Sequence, residues 1–273
     1  MRFSDLALAR RLEAAEGNAC RQFALARRRL VPQSGSEAIR VAGADVVFDG
    51  PASPVTQTFG LGMLQSPTPE DLDEIERFFQ SRNAPIQHEV SPFAGAACLQ
   101  LLCARDYHPI EISNVLYRPV TLPFAPTPPQ EKTAQIHVRV IGREEAALWN
   151  EVNTRGWTHE HPELEQQFMR DVGTVLIHRE SSPCFLAAID GHPAAAGALA
   201  IHQGVALFAG ASTKPEFRRR GLQAALLEAR MQYAAEHGCD LAMMVAEPGS
   251  NSQRNAQRQG FLIAYTRLKW QKC

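Results

Sequence analysis

Residues 206–238, ALFAGASTKPEFRRRGLQAALLEARMQYAAEHG, place an apolar run, a polar loop and a long amphipathic stretch in immediate succession. The run ALFAGAST predicts a strand. Leu222, Ala225, Leu226, Ala229 and Tyr233 recur at helical spacing, so a helix from Gly221 to about His237 packs one face on a sheet. Gly238 stands where a left-handed helix stop is favoured. The start of this helix is electrostatically unusual. Arg218, Arg219 and Arg220 lie against the positive end of the helix dipole, where cations are disfavoured unless an anion arrives. Gly221 brings bare backbone to the turn, and first-turn amides lack intrahelical acceptors, so the segment suits a phosphate group. Taken alone a basic helix start is weak evidence, since surface arginines often stand there.

Working outward, DLAMMVAE predicts a strand, SNSQRNAQRQ a short polar helix and FLIAYTRLKW a last strand. Upstream, QIHVRVI, CFLAAIDG and AAAGALAIHQ read as strands, the latter two joined by a turn at 190–193, and EEAALWNEVNTRGW and PELEQQFMRDV as helices. Residues 118–132, RPVTLPFAPTPPQEK, carry five prolines and read as an interdomain linker. The expected division is therefore 1–118, a proline-rich linker at 119–132, and 133–273. In the first part, residues 3–30 predict one or two helices with Gly17 as a break. Thr68, Pro69 and Asp71 mark a helix start. APIQHEV and IEISNVLYRPV predict strands flanking the short helix FAGAACLQLLCARD. The expected class is α/β, a mixed sheet flanked by helices.

Composition narrows the function classes. The 273 residues carry 28 Lys+Arg against 29 Asp+Glu, a formal charge of −1, which supplies no domain-wide basic excess for a nucleic-acid partner. No apolar run approaches the roughly 20 residues needed to span a bilayer. The opening MRFSDLALARRLEAAEG carries acids early and lacks the compact apolar core of a secretory signal, so a soluble cytoplasmic protein is expected. The six cysteines are scattered without metal-ligand spacing, and His159-Glu160-His161 has no further nearby ligand; no metal is expected.

Arg218-Arg219-Arg220-Gly221-Leu222-Gln223-Ala224 resembles the acyl-CoA-binding loop of the GCN5-related N-acetyltransferases (GNAT), whose pattern is Gln or Arg, two residues, Gly, one residue, then Gly or Ala. Arg218 and Gly221 match; Gln223 departs, and its bulk narrows the approach to a pyrophosphate. The loop follows a strand and opens a long helix, and a later strand, polar helix and Gly260-Phe261 close the domain in the family's order, so the resemblance covers about 133–270. It implies the acyl-CoA N-acyltransferase fold, acetyl-CoA as co-substrate, and direct transfer of an acetyl group to a primary amine on a small molecule or peptide. It further implies that the pantetheine chain pairs with backbone near Ala209, Gly210 and Ala211. Ser212 and Thr213 would lie where that strand splays, and an amide near Ala211 would stabilise the oxyanion. Arg218 to Ala224 and Asn255 complete the implied cofactor contacts.

The usual catalytic pair is missing. ALFAGAST carries no ionisable side chain where many members place a glutamate base, and Ala256 stands where many place a tyrosine acid. Glu247 and His202 are the substitutes considered for proton transfer, and Ser252 is a further polar group beside Asn255. A non-catalytic acyl-CoA-binding module, or a protein-interaction scaffold, stays open as the alternative. The close of the first part repeats the element order of the second, which suggests a tandem pair of acetyltransferase-like domains. GLGMLQSPTP holds no basic residue where a first-half phosphate loop would be, so that half is expected to be degenerate or accessory.

Overall fold

The computed structural model describes residues 4–121, 135–160 and 165–273; the proline-rich linker and His161 fall outside the described residues except at their margins. The chain forms two compact units, residues 1–118 with 243–273 and residues 119–242. Residues 243–273, expected in one domain with 133–242, group instead with residues 1–118. The reason lies in the last strand, described below.

In the first unit, helix α1 (Leu6–Leu30) opens with Asp5, whose carboxylate accepts the Leu8 amide at 2.8 Å. It runs unbroken through Gly17, which is therefore not a break. A Cβ there would stand 2.9 Å from Asp45 Oδ2 and 3.2 Å from Phe59 Cβ, so glycine allows close approach of helix to sheet. Strands β1 (Glu37–Val41), β2 (Ala44–Phe48) and β3 (Gln57–Phe59) follow, then α2 (Pro69–Gln80), β4 (Gln87–Val90), α3 (Gly95–Ala104) and the long β5 (Tyr107–Pro119). The chain's last strand, β11 (Leu262–Lys272), enters between β4 and β5 and is antiparallel to both, with Leu268 opposite Val90 and Ile112. The sheet order in this unit is β1-β2-β3-β4-β11-β5. Its core gathers Val46, Phe48, Leu72, Ile75, Phe79, Leu102, Tyr107 and Trp270.

The other face of that sheet holds a buried charge cluster. Arg267, 2% exposed, donates to both Glu13 oxygens at 3.2 Å and to Glu16 at 2.8 Å. Its Nε lies 3.0 Å from Glu89 Oε2, off the N–H direction, as an ion pair without a well-formed hydrogen bond. Tyr265 donates to Glu13 at 2.8 Å. Burial pushes the Glu13 and Glu89 carboxyls above their ordinary range against the pull of Arg267. Burial opposes charge on Arg267 too, but the fields of Glu16, Glu13 and Glu89 outweigh it and hold the guanidinium well above its ordinary value.

His88 on β4 is fully buried beside Tyr107, ring centroids 4.9 Å apart, with neither ring nitrogen hydrogen-bonded. Burial, with Lys272 nearby, lowers its pKa from 6.5 to about 3. A base whose folded pKa is lowered contributes full stability above its unfolded value and loses it as pH falls below that value. Unfolding free energy should therefore drop by about 1.4 kcal/mol per pH unit below 6.5 through this group alone. Denaturant titrations at pH 6.5 and 5 should show a steeper loss in the wild type than in His88→Leu. Equal losses would remove His88 as the cause.

The second unit carries β6 (Ile136–Val140), α4 (Ala146–Glu160), α5 (Gln166–His178), β7 (Cys184–Ile189), β8 (His192–His202), β9 (Val205–Thr213) and α6 (Leu222–Glu236), with sheet order β9-β8-β7-β6. Trp149 of α4 is fully buried and donates its indole N–H to the Phe185 carbonyl at 2.9 Å. Arg230 of α6 is buried as well. It donates to the Leu226 and Ala198 carbonyls and stacks over Phe208 at 4.9 Å, which fixes α6 against β8; burial lowers its pKa to about 10, so it stays charged near neutrality. Strand β10 (Leu241–Ala246) spans the division between the units, and helix α7 (Asn251–Arg258) belongs to the first. Among the described residues no helix is long and apolar enough to cross a membrane, and no group of three or more metal-ligating side chains could hold an ion.

Candidate functional site

Strand β9 is irregular where the sequence sets Ala209-Gly210-Ala211. Ala198 of β8 faces Ala209 and Ala196 faces Ser212, so two residues of β9 stand opposite one of β8. This is a β-bulge, which takes backbone groups out of the ladder. Gly210 adopts φ +61, a conformation that favours glycine. Ser212 then turns into the protein, its hydroxyl donating to the Asn153 carbonyl of α4 at 3.2 Å. Gly156 makes this approach possible, since a Cβ there would lie 2.5 Å from the Ser212 Cβ. Asn153 and Gly156 were not singled out by sequence reasoning. The available signal was a glycine inside the helical stretch NEVNTRGW.

After Thr213 the chain makes a single helical turn at Pro215–Phe217 and reaches the three arginines. They have different surroundings. Arg218 is spent on carbonyls, donating from Nε to Thr213 at 3.3 Å and from Nη2 to Gly156 at 3.2 Å. Arg219 is exposed and takes a left-handed backbone, φ +61. Arg220 is exposed and lies over the Phe217 ring at 5.7 Å. Gly221 is the N-cap of α6 with φ +83, and no side chain caps the helix. Amides of the first turn at Leu222, Gln223 and Ala224 precede the first i to i−4 bond, which Ala225 makes to Gly221 at 3.0 Å. Leu222 is buried against the sheet while Ala224 is exposed. An uncapped helix start following left-handed backbone leaves its first-turn amides without a side-chain acceptor, the arrangement that suits an anion.

The corresponding helix start in the first unit is closed. Thr68 and Asp71 cap each other's amides at the head of α2, at 3.2 and 2.8 Å, and Glu70 adds a second acid to the first turn. Carboxylates already occupy that dipole end.

The remaining sequence candidates each have their own surroundings. His202 pairs with Val205 at the tip of the β8–β9 hairpin. That is the end of β9 remote from Thr213, about 25 Å away at a strand's rise per residue. His202 therefore stands at the opposite end of β9 from Ala211, where the resemblance would place the oxyanion. Glu247 is exposed, and its carbonyl accepts the Ser250 amide at 3.2 Å in the turn before α7. Asn255 and Ser252 are exposed on α7, which Ser250 caps by accepting the Gln253 amide at 3.2 Å. Glu247, Ser252 and Asn255 belong to the first unit. Tyr265 of β11 is buried on Glu13.

Residues 145–261 match the acetyltransferase (GNAT) family. No curated protein matches the sequence. Among solved structures, a GCN5-related N-acetyltransferase from Kribbella flavida aligns over 93% of this chain and 95% of its own, at 18% identity and TM-score 0.61. A tandem GNAT protein from the clavulanic acid biosynthesis pathway aligns over 99% and 96%, at 13% identity and TM-score 0.58. A GCN5-related N-acetyltransferase from Sphaerobacter thermophilus aligns over 79% and 71%, at 18% identity and TM-score 0.52. These likenesses establish the fold, a tandem acyl-CoA N-acyltransferase arrangement.

Proposed function

We propose that this chain, whose residues 145–261 match the acetyltransferase (GNAT) family, moves an acetyl group from acetyl-CoA to a primary amine. The observation that carries the reading is the uncapped, arginine-rich start of α6 directly after a bulged strand. The diphosphate would accept hydrogen bonds from the first-turn amides, with Arg219 and Arg220 supplying charge at the rim. Arg218 acts from behind, holding the loop to Thr213 and Gly156. The bulge at Gly210 frees strand backbone to pair with the pantetheine chain, and an amide near Ala211 would meet the oxyanion as the amine attacks the thioester. Strand β9 carries no ionisable side chain, so the acceptor arrives as the neutral amine or loses its proton to water. The first unit, with its self-capped α2, would bind no second cofactor. The missing base is also what a non-catalytic acyl-CoA-binding module would display.

Calorimetric titration with coenzyme A tests the cradle. The wild type should bind with a micromolar dissociation constant, about −8 kcal/mol. Gly221→Glu should weaken binding at least about 100-fold, because it places a carboxylate at the diphosphate and a Cβ at φ +83. A wild type silent at millimolar ligand sinks the reading. Thiol release from acetyl-CoA with a panel of amines then separates enzyme from binding module.

A further inference from the structure

Gln223 breaks the family's loop pattern, and by bulk alone it would crowd the cradle. The structure sends the side chain elsewhere. Its Nε2 donates to the Thr213 hydroxyl at 2.7 Å, back across the loop to the last residue of β9. Thr213 is buried, 7% exposed, and receives the other arm of the loop as well, since Arg218 Nε donates to its carbonyl at 3.3 Å. One residue thus ties both ends of the segment between the strand and the helix. That segment holds a left-handed arginine and a left-handed glycine. Ordering backbone costs conformational entropy, so a loop held in place before the ligand arrives binds it more tightly. Turning the Gln223 side chain aside also leaves its own amide at the helix start for an anion.

We propose that Gln223 is a positioning residue: its bond to the Thr213 hydroxyl braces the loop in the shape that accepts the diphosphate of a nucleotide-linked thioester. The inference rests on the acyl-CoA reading of the loop, and it reverses the sign that bulk alone predicts. Restoring the small residue of the pattern should harm binding rather than help it.

The test measures coenzyme A affinity of the intact chain as wild type, Gln223→Ala, Gln223→Met, Thr213→Val and the Gln223→Ala/Thr213→Val double variant. Losing one part-buried neutral hydrogen bond should weaken binding about two- to twelve-fold in each single variant, including Gln223→Met, which keeps the bulk. The double variant should be no weaker than the singles within about two-fold, since the same bond is removed twice. Where turnover is measurable, the change should fall on the KM for acetyl-CoA rather than on kcat, which a loss of folding would not produce. Tighter binding by Gln223→Ala, or multiplying losses in the double variant, overturns the brace. If the wild type binds no coenzyme A, it is the acyl-CoA reading that fails. Amide hydrogen exchange across 218–223 then decides the brace by itself: faster exchange in Gln223→Ala supports it, and unchanged exchange refutes it.

Discussion

Replacing Arg267 by methionine should destabilise the first unit by about 3–5 kcal/mol at pH 7. The guanidinium and the Glu13 carboxylate are each about 1% exposed, Glu89 6% and Glu16 14%, and the three acids face one arginine. Lys269 helps at one edge, 3.6 Å from Glu89 and 2.6 Å from Glu111. Without Arg267 the buried carboxylates keep their desolvation cost and lose the charge that offsets it. Methionine fills much of the volume, so a cavity cannot account for the loss. The pH dependence separates charge from packing. Glu13 and Glu89 titrate above the ordinary glutamate value of 4.5 in the fold, so the folded state binds more protons, and their contribution to stability falls as pH rises from 4.5 through their folded values. Removing Arg267 raises those values further. The gap between variant and wild type should therefore shrink as pH is lowered toward 4.5, and the His88 contribution cancels in the difference. A gap that is constant with pH would assign the effect to packing instead.

That cluster was not legible in the sequence, and the reason is sequence distance. Glu13 and Arg267 lie 254 positions apart, on elements each correctly expected as a helix and a strand. Local periodicity specifies an element but says nothing about which distant element it will face. The Thr68 cap and the Gly238 stop were readable because each is complete within four or five residues. Gly17 was misread for the same reason in reverse: its glycine answers to Asp45 and Phe59 on the sheet, not to its own helix. At the site, the left-handed Gly221 and the free helix start followed from local pattern, and so did the absence of an acid on β9. What the sequence could not supply were the bonds that hold the loop, Gln223 to Thr213 and Arg218 to Gly156, because hydrogen bonds between side chain and neighbouring strand or helix leave no periodic trace. His202 shows the opposite failure. A titratable residue close in sequence to β9 looked available, yet the hairpin carries it to the wrong end of the strand.

Residues 119–273 expressed alone should fail to fold cooperatively, although they contain the whole of the family match. The last strand is the cause. β11 is a central strand of the first unit, with β4 on one side and β5 on the other, and both partners lie within residues 87–119. Cut from them, it exposes two unpaired edges and the apolar faces of Tyr265 and Trp270, 7% and 8% exposed in the intact chain. It also strands Arg267 away from Glu13, Glu16 and Glu89. The converse fragment, 1–118, would keep three buried carboxylates without their arginine and leave a gap between β4 and β5. Neither piece can satisfy its own polar groups, so the two should recover structure only together. Co-expression of 1–118 with 119–273 as separate chains should yield a soluble complex with a single unfolding transition, whereas either alone should aggregate or show no transition in a thermal scan. A cooperative transition from 119–273 by itself, with coenzyme A affinity equal to that of the full chain, would show that β11 has a second home in the other unit. It would also restore the sequence-based boundary at residue 133. The dependence is one of sequence order against spatial order: β11, which begins some forty residues beyond the α6 helix start, completes a sheet begun by the strands of residues 37–119.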